Sequence, residues 1–392
     1  MSHTRASRGS GADRGGAGTR NGRVAGFVRT FTPTMFLTEH PLALALGVAV
    51  AIVIAVVLHL RYWVRRLAVP MTYASVERLP TDDGSAIELR HIEPSVATAL
   101  PPVLLVHGVA VNHRNHDLHP RFSLARHLAA AGRDVWLLTL RSGRADRRRS
   151  EPVSFARMVR YDVPFAVQSV LARTGATQLD YVGFSMGGML LYASLGRTVA
   201  EESVRRVAII GSPAIVRPPV EILRSLRFLP DALIPGLNLR FQARLFAFAS
   251  EWLITPLHDY VANARNIERG VTRAALVNAI EGVPARLQAD LARMAFSDGE
   301  IRVDGLEALP MLREVTRPVL FFAGANDRIA PPDSVRHAFE TWGAAREGVD
   351  KRMIVLGRAT GASADYGHGD LACGRDAPRE VYEPVRVFLE VA

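Results

Sequence analysis

The order of apolar and polar positions divides the chain into stretches of different character. Residues 1–30 are rich in Gly, Ser and Arg and hold few apolar side chains. Such a segment cannot bury enough surface to offset the entropy of ordering, so a disordered basic tail is predicted over residues 1–40. Residues 41–60 read PLALALGVAVAIVIAVVLHL, and no residue from Pro41 to Leu58 is charged. Twenty residues at helical rise span about 30 Å, the thickness of a bilayer's hydrocarbon core. Arg61, Tyr62, Trp63, Arg65 and Arg66 follow and suit the headgroup level. A single transmembrane helix in contact with membrane lipid is therefore expected over residues 41–60. A cleaved signal peptide would start closer to the N-terminus and end at small residues. Arg23 and Arg29 precede the span, and Arg61, Arg65, Arg66 and Arg78 follow it. That balance leans towards a cytoplasmic location for the domain after the span, although four more Arg in the tail blunt the lean.

From residue 71 the pattern alternates between strand and helix. MTYASVERL and AIELRHIE flank Asp82-Asp83-Gly84, a hairpin signal. PPVLLVHG, DVWLLTL, LDYVGF, VRRVAIIG, RPVLFFAG and KRMIVLG are short apolar runs that fit buried strands. RFSLARHLAAAG has helical spacing and Gly132 at its end. SFARMVRYDVPFAVQSVLARTG reads as a long helix that Pro164 should kink. SMGGMLLYASLG and Asp376–Val391 read as two more helices. This alternation predicts an α/β fold with a mainly parallel sheet covered by helices. The core is expected in residues 71–213 and 313–392. The stretch between, residues 214–312, is far longer than a crossover requires and reads as a helical cap over the sheet's carboxyl edge. Within it, Phe241, Leu245, Phe248 and Trp252 repeat at helical spacing. That face reads as cap core or as an acyl-binding or membrane-facing wall, with Phe246 and Leu253 off it.

Composition changes this picture little. The 392 residues carry a formal charge of +10 and are 48% hydrophobic. Residues 1–66 hold nine Arg against Asp13 and Glu39, a net +7, which leaves +3 for the remainder. The basic excess thus surrounds the apolar segment instead of forming a face on a nucleic-acid-binding module, and nucleic acid is not an expected partner. Cys373 is the single cysteine, which excludes an intrachain disulfide.

The chemistry is concentrated in a few places. Gly183-Phe184-Ser185-Met186-Gly187 is a G-x-S-x-G between a strand and a helix, the context a nucleophile elbow requires. The sharp turn needs small flanking residues, hence Gly183 and Gly187. The serine would stand at a helix N-terminus, where developing negative charge is favoured. A serine hydroxyl needs a base, and the base needs an orienting carboxylate. Of the histidines after Ser185, His258 falls in the cap and His337 on a helix, whereas His368 sits in a Gly-rich loop after a strand. His368 is the expected base. Asp327 is the first carboxylate past RPVLFFAG and the expected acid, ahead of Asp333 and Asp370. The oxyanion donors should be the Met186 N–H and one from His107-Gly108-Val109, with Val109 the choice. His113, His116 and His119 lack the ligand set of a metal site, and no metal or organic cofactor is implied.

LLVHGVAVN, YDVPFAVQSVLARTGATQLDYVGFSMGG, GANDRIAPPDSV and GHGDLACGRDAPREVY together resemble the acid lipases of the α/β-hydrolase superfamily, the group of gastric and lysosomal acid lipases. The resemblance covers most of residues 71–392. It implies the α/β-hydrolase fold, places Ser185, Asp327 and His368 on the family's triad and makes the cap its lid. The family carries His before the serine and Gln after it, where this chain has Phe184 and Met186. The expectation is a serine carboxylic-ester hydrolase acting on an apolar ester through an acyl-enzyme. The alternatives are an acyltransferase on the same triad and a non-catalytic membrane-anchored binding module.

Overall fold

The computed structural model describes residues 41–96, 99–147, 151–218, 230, 233–252 and 256–391. The expected tail and Leu253 lie outside the described residues, as do parts of the expected cap. The chain falls into two units, residues 1–55 and 56–392.

Helix α1, Pro41–Leu67, begins in the first unit and ends in the second. It is one turn and more longer than the apolar segment suggested, because Arg61–Leu67 continue the helix. By length and composition it can cross a membrane, and none of its residues is buried.

In the second unit the chain builds an eight-stranded sheet: β1 Ser75–Pro80, β2 Ala86–Ile92, β3 Val103–Val106, β4 Val135–Thr139, β5 Leu179–Phe184, β6 Val204–Ile210, β7 Val319–Gly324 and β8 Lys351–Leu356. Their spatial order is β1-β2-β4-β3-β5-β6-β7-β8. The hairpin β1–β2 and the β2–β4 pair are antiparallel, and all later pairs are parallel. The edge strand β1 alternates half-buried and exposed residues, while β3, β4, β5 and β7 are buried throughout. This is the pattern of a sheet covered on both faces in its middle. Register aligns the carboxyl ends: Val106 lies opposite Gly183, Phe184 opposite Ile210, Ile210 opposite Phe322, and Gly324 opposite Leu356. The loops leaving β3, β5, β6, β7 and β8 therefore meet along one edge.

The covering helices follow the expected periodicities, with two instructive departures. Helix α2, Leu124–Ala130, is capped by Ser123, whose Oγ accepts the Arg126 N–H at 2.9 Å, and Gly132 follows in the left-handed region at φ 89°. The long helix ahead of β5 is broken into a π-helical turn, Met158–Asp162, and helix α3, Val163–Thr174. Pro164 has no N–H to donate to the Arg160 carbonyl, and the Val163 N–H reaches back to Met158 O. The expected kink is thus a widened turn. The same device recurs at the end of the chain, where Pro384 follows a π-helical turn over Pro378–Tyr382.

Helix α4, Met186–Ser194, follows β5 directly. Between β6 and β7 lie helices α5 Leu239–Phe246, α6 Val271–Asn278 and α7 Ala285–Phe296. Helix α8, Pro332–Thr341, and helix α9, Glu383–Glu390, complete the layers. The apolar face expected from Phe241 to Trp252 is not one helical face. Helix α5 stops at Phe246, a 3-10 turn takes Ala247–Ala249, and Phe241, Phe246 and Trp252 are exposed. Phe248 instead stacks on Trp63, with ring centroids 5.7 Å apart.

Candidate active site

Ser185 occupies the single residue between β5 and α4, at φ 52° and ψ −118°. A non-glycine residue rarely adopts positive φ, and here the surroundings impose it. The Ser185 N–H donates to Ile210 O at 2.9 Å, which holds the turn against β6. A methyl group on Gly183 would lie 2.7 Å from the Gly188 nitrogen. One on Gly187 would lie 2.9 Å from the Val106 carbonyl carbon and nearer still to its oxygen. Both glycines are therefore demanded by close backbone approach. The Tyr181 hydroxyl donates to Gly187 O at 2.8 Å and ties the helix start to its own strand.

His368 comes from the loop after β8, and Asp327 from the loop after β7. Their side chains meet, with His368 Nδ1 2.8 Å from Asp327 Oδ2. The other carboxylate oxygen, Oδ1, accepts the Ile329 and Ala330 N–H groups, each at 2.8 Å. Ser185, Asp327 and His368 are all buried, at 4%, 4% and 7% exposure. The two loops are locked together: Asn326 N–H donates to Tyr366 O at 2.8 Å. His368 adjoins the elbow as well. The Phe184 ring packs edge-on against the imidazole at 5.1 Å, and a methyl group on Gly211 would lie 3.4 Å from the imidazole Cε1. Asp333 lies on α8 and pairs with Arg217. His337 is on the same helix, and His258 is in the Pro256–Val261 helix of the insert.

Met186 is the first residue of α4, so its N–H has no acceptor within the helix. Gly108 packs on the elbow, since a methyl group there would lie 3.0 Å from Ser185 Cβ. Val109 follows it. This loop is held by His107, which the sequence placed in the candidate oxyanion run without assigning its side chain a role. The Leu140 N–H donates to His107 Nε2 at 3.1 Å, so His107 Nδ1 carries the hydrogen and donates to Gly108 O at 2.8 Å. Burial pushes the His107 pKa down to about 3, keeping it neutral. Ala110 beyond it has φ 59°, and its carbonyl accepts the Glu281 N–H at 2.7 Å. Asn112 donates to Glu281 Oε1 at 3.0 Å and Asn278 O at 3.1 Å. The loop thus rests on the insert's segment 278–281. Asn112 closes the run LLVHGVAVN, but only the fold shows what it touches.

Of the neighbouring histidines, His116 is buried with Nε2 donating to Val106 O at 3.1 Å, and His113 Nδ1 lies 3.1 Å from Thr139 Oγ1. Each is used separately, and among the described residues no group of three His, Cys, Asp or Glu is arranged to hold a metal ion.

Comparison with known proteins identifies the fold that carries these aligned strand ends, the serine at positive φ and the Asp–His pair. The alpha/beta hydrolase fold family model matches residues 101–350. Human gastric triacylglycerol lipase is 28% identical over 169 residues, 39% of this chain and 42% of that enzyme, so this match spans under half the relative's length. Human lipase member M is 23% identical over 359 residues, 78% of this chain and 80% of its own. Among solved structures, an esterase from Exiguobacterium antarcticum superposes with a TM-score of 0.51 at 14% identity, covering 81% of this chain and all of that one. A bacterial membrane phospholipase A superposes with a TM-score of 0.51 at 19% identity, covering 91% and 98%. The chain belongs to the α/β-hydrolase fold family and within it resembles the acid lipases.

Proposed function

We propose that this protein is a serine carboxylic-ester hydrolase of lipase or esterase type, acting on an apolar ester through an acyl-enzyme. The observation that carries the proposal is the buried Asp327–His368 hydrogen bond set beside a serine held at positive φ between strand and helix. The relatives' names, triacylglycerol lipase and lipase member M, support the ester class.

In this reading each residue has a distinct role. Asp327 accepts the Nδ1 hydrogen of His368, which leaves Nε2 free to act as base. Ser185 Oγ attacks the ester carbonyl carbon while His368 Nε2 takes its proton. The resulting oxyanion receives the N–H groups of Met186 and Val109. The imidazolium gives its proton to the leaving oxygen as the ester C–O bond breaks, the alcohol departs, and an acyl-enzyme remains on Ser185. Water, deprotonated by His368, then attacks the acyl carbon, and the acid leaves as Ser185 regains its proton. We further place residues 41–60 in a membrane, with the insert over the sheet's carboxyl edge as the cap, so that lipid-soluble esters reach the site from close by.

An alkyl fluorophosphonate tests the nucleophile directly. Peptide mapping should find the phosphonyl adduct on Ser185 and none in Ser185→Ala or heat-denatured protein. An unlabelled native protein would overturn the assignment.

A further inference from the structure

The carboxylate two residues past His368 plays no part in the steps above, yet it is fully buried. Asp370 Oδ1 accepts the Gly367 N–H at 2.9 Å and the Asn263 N–H at 3.0 Å, and its Oδ2 accepts the Asn266 side-chain amide at 2.8 Å. One of these donors belongs to the residue directly before His368. The other two belong to the insert, just after its Pro256–Val261 helix. The contact continues on both sides. Gly369 N–H donates to Val261 O at 2.8 Å, Arg375 N–H to Asn266 O at 2.7 Å, and the Asn263 amide to Asp365 O at 2.9 Å. Ile267 and Gly374 form a β-bridge. The approach is tight enough that a methyl group on Gly367 would lie 2.8 Å from the Asn263 nitrogen. Burial raises the Asp370 carboxyl pKa, and its three N–H donors oppose that.

We propose that Asp370 is a positioning residue: it fixes the backbone on either side of His368 by clamping the histidine loop to the insert at Asn263–Asn266. The proposal rests on His368 being the base of the proposed hydrolase. A flexible Gly-His-Gly loop is a poor platform for a base that must be placed to a fraction of an ångström, and a 1 Å misplacement can lower a rate about 100-fold. The clamp supplies the rigidity that Gly367 and Gly369 withhold. It also makes residues 261–267 a fixed foot of the insert, so any opening of the insert pivots elsewhere and leaves the base in place.

The test is kcat per fluorophosphonate-titrated site for the full chain and its variants, with a short and a long p-nitrophenyl ester, well below the melting temperature. Asp370→Ala removes both acceptor oxygens, and with them all three hydrogen bonds, and should lower kcat roughly 10- to 100-fold for both esters, with KM within about threefold. Asp370→Asn keeps one oxygen for the two N–H donors and should recover most of that loss. Asn266→Ala, across the contact, should lower kcat a few-fold, and its effect should not add to that of Asp370→Asn. A merely structural carboxylate would lower the melting temperature and the number of titratable sites but leave kcat per site within twofold of wild type, and that result overturns the proposal. So does additivity of Asn266→Ala with Asp370→Asn, which decides the matter should Asp370→Ala not fold. Failure of the underlying reading looks different, since the wild type itself would then take no label.

Discussion

Replacing Asp327 by Asn isolates the hydrogen bond on which the base depends. The side chain keeps its shape, so the question is which way the amide turns. With its oxygen towards Ile329 and Ala330, both 2.8 Å bonds survive and Nδ2 faces His368. With the amide reversed, the half-buried Ile329 N–H and the buried Ala330 N–H lose their acceptor and confront a donor. Each unsatisfied group is worth about 1–3 kcal/mol, so the first orientation prevails by several kcal/mol. An Nδ2 donor opposite His368 Nδ1 then forces the ring hydrogen onto Nε2, the atom that must receive the serine proton. A base in the wrong tautomer lowers kcat by about 10⁴, or about 5.4 kcal/mol of barrier at 1.36 kcal/mol per decade. The assay is p-nitrophenyl butyrate hydrolysis at pH 7.5, with folding checked by thermal melting. A folded Asp327→Asn enzyme that loses less than tenfold in kcat would refute the tautomer argument and with it Asp327 as the acid.

Other consequences are narrower. Gly187→Ala drives a methyl group into the Val106 carbonyl and should destabilise by at least the 1–3 kcal/mol usual for overpacking, read as a lowered midpoint in urea. His116, pushed down to about 4 by burial, binds its proton less readily folded than unfolded, so its contribution to stability is present above pH 6.5 and is lost as pH falls towards 4. Over that window a slope of about 1.4 kcal/mol per pH unit is expected from it, and His116→Gln should flatten the curve; an unchanged slope would mean that His116 titrates normally. If residues 41–60 anchor the chain, the protein should resist alkaline carbonate extraction from membranes and its intact mass should include α1. Extraction, or a mass lacking those residues, would favour a cleaved leader.

The parts of this architecture that were legible in the sequence are those set by local rules. Alternating polarity in Ser75–Ile92 around Asp82-Asp83-Gly84 marked the hairpin, and unbroken apolar runs such as Val103–Val106 marked central strands. The G-x-S-x-G between strand and helix stood out because sterics leave few residue types able to make that turn. What escaped was set by distant partners. His107, Asn112 and Asp370 are ordinary polar residues along the chain, and only the fold brings them to Leu140, Glu281 and Asn266. The helical face drawn through Phe241, Leu245, Phe248 and Trp252 failed because helix α5 ends at Phe246, and Phe248 packs on Trp63. Periodicity alone does not show where a helix ends without a capping signal. Pro164 marked a disturbance in its helix, but not the specific π-turn that precedes it, and the matching π-turn before Pro384 carried no signal in the reading of Asp376–Val391 as one helix.

The central claim is that Ser185 drives ester hydrolysis, and the most direct measurement is turnover of p-nitrophenyl esters from acetate to palmitate by the wild type and Ser185→Ala side by side. The account predicts turnover that depends on Ser185 and rises with acyl length towards apolar esters. Equal activity in the two proteins, or none in the wild type at any chain length, would contradict it.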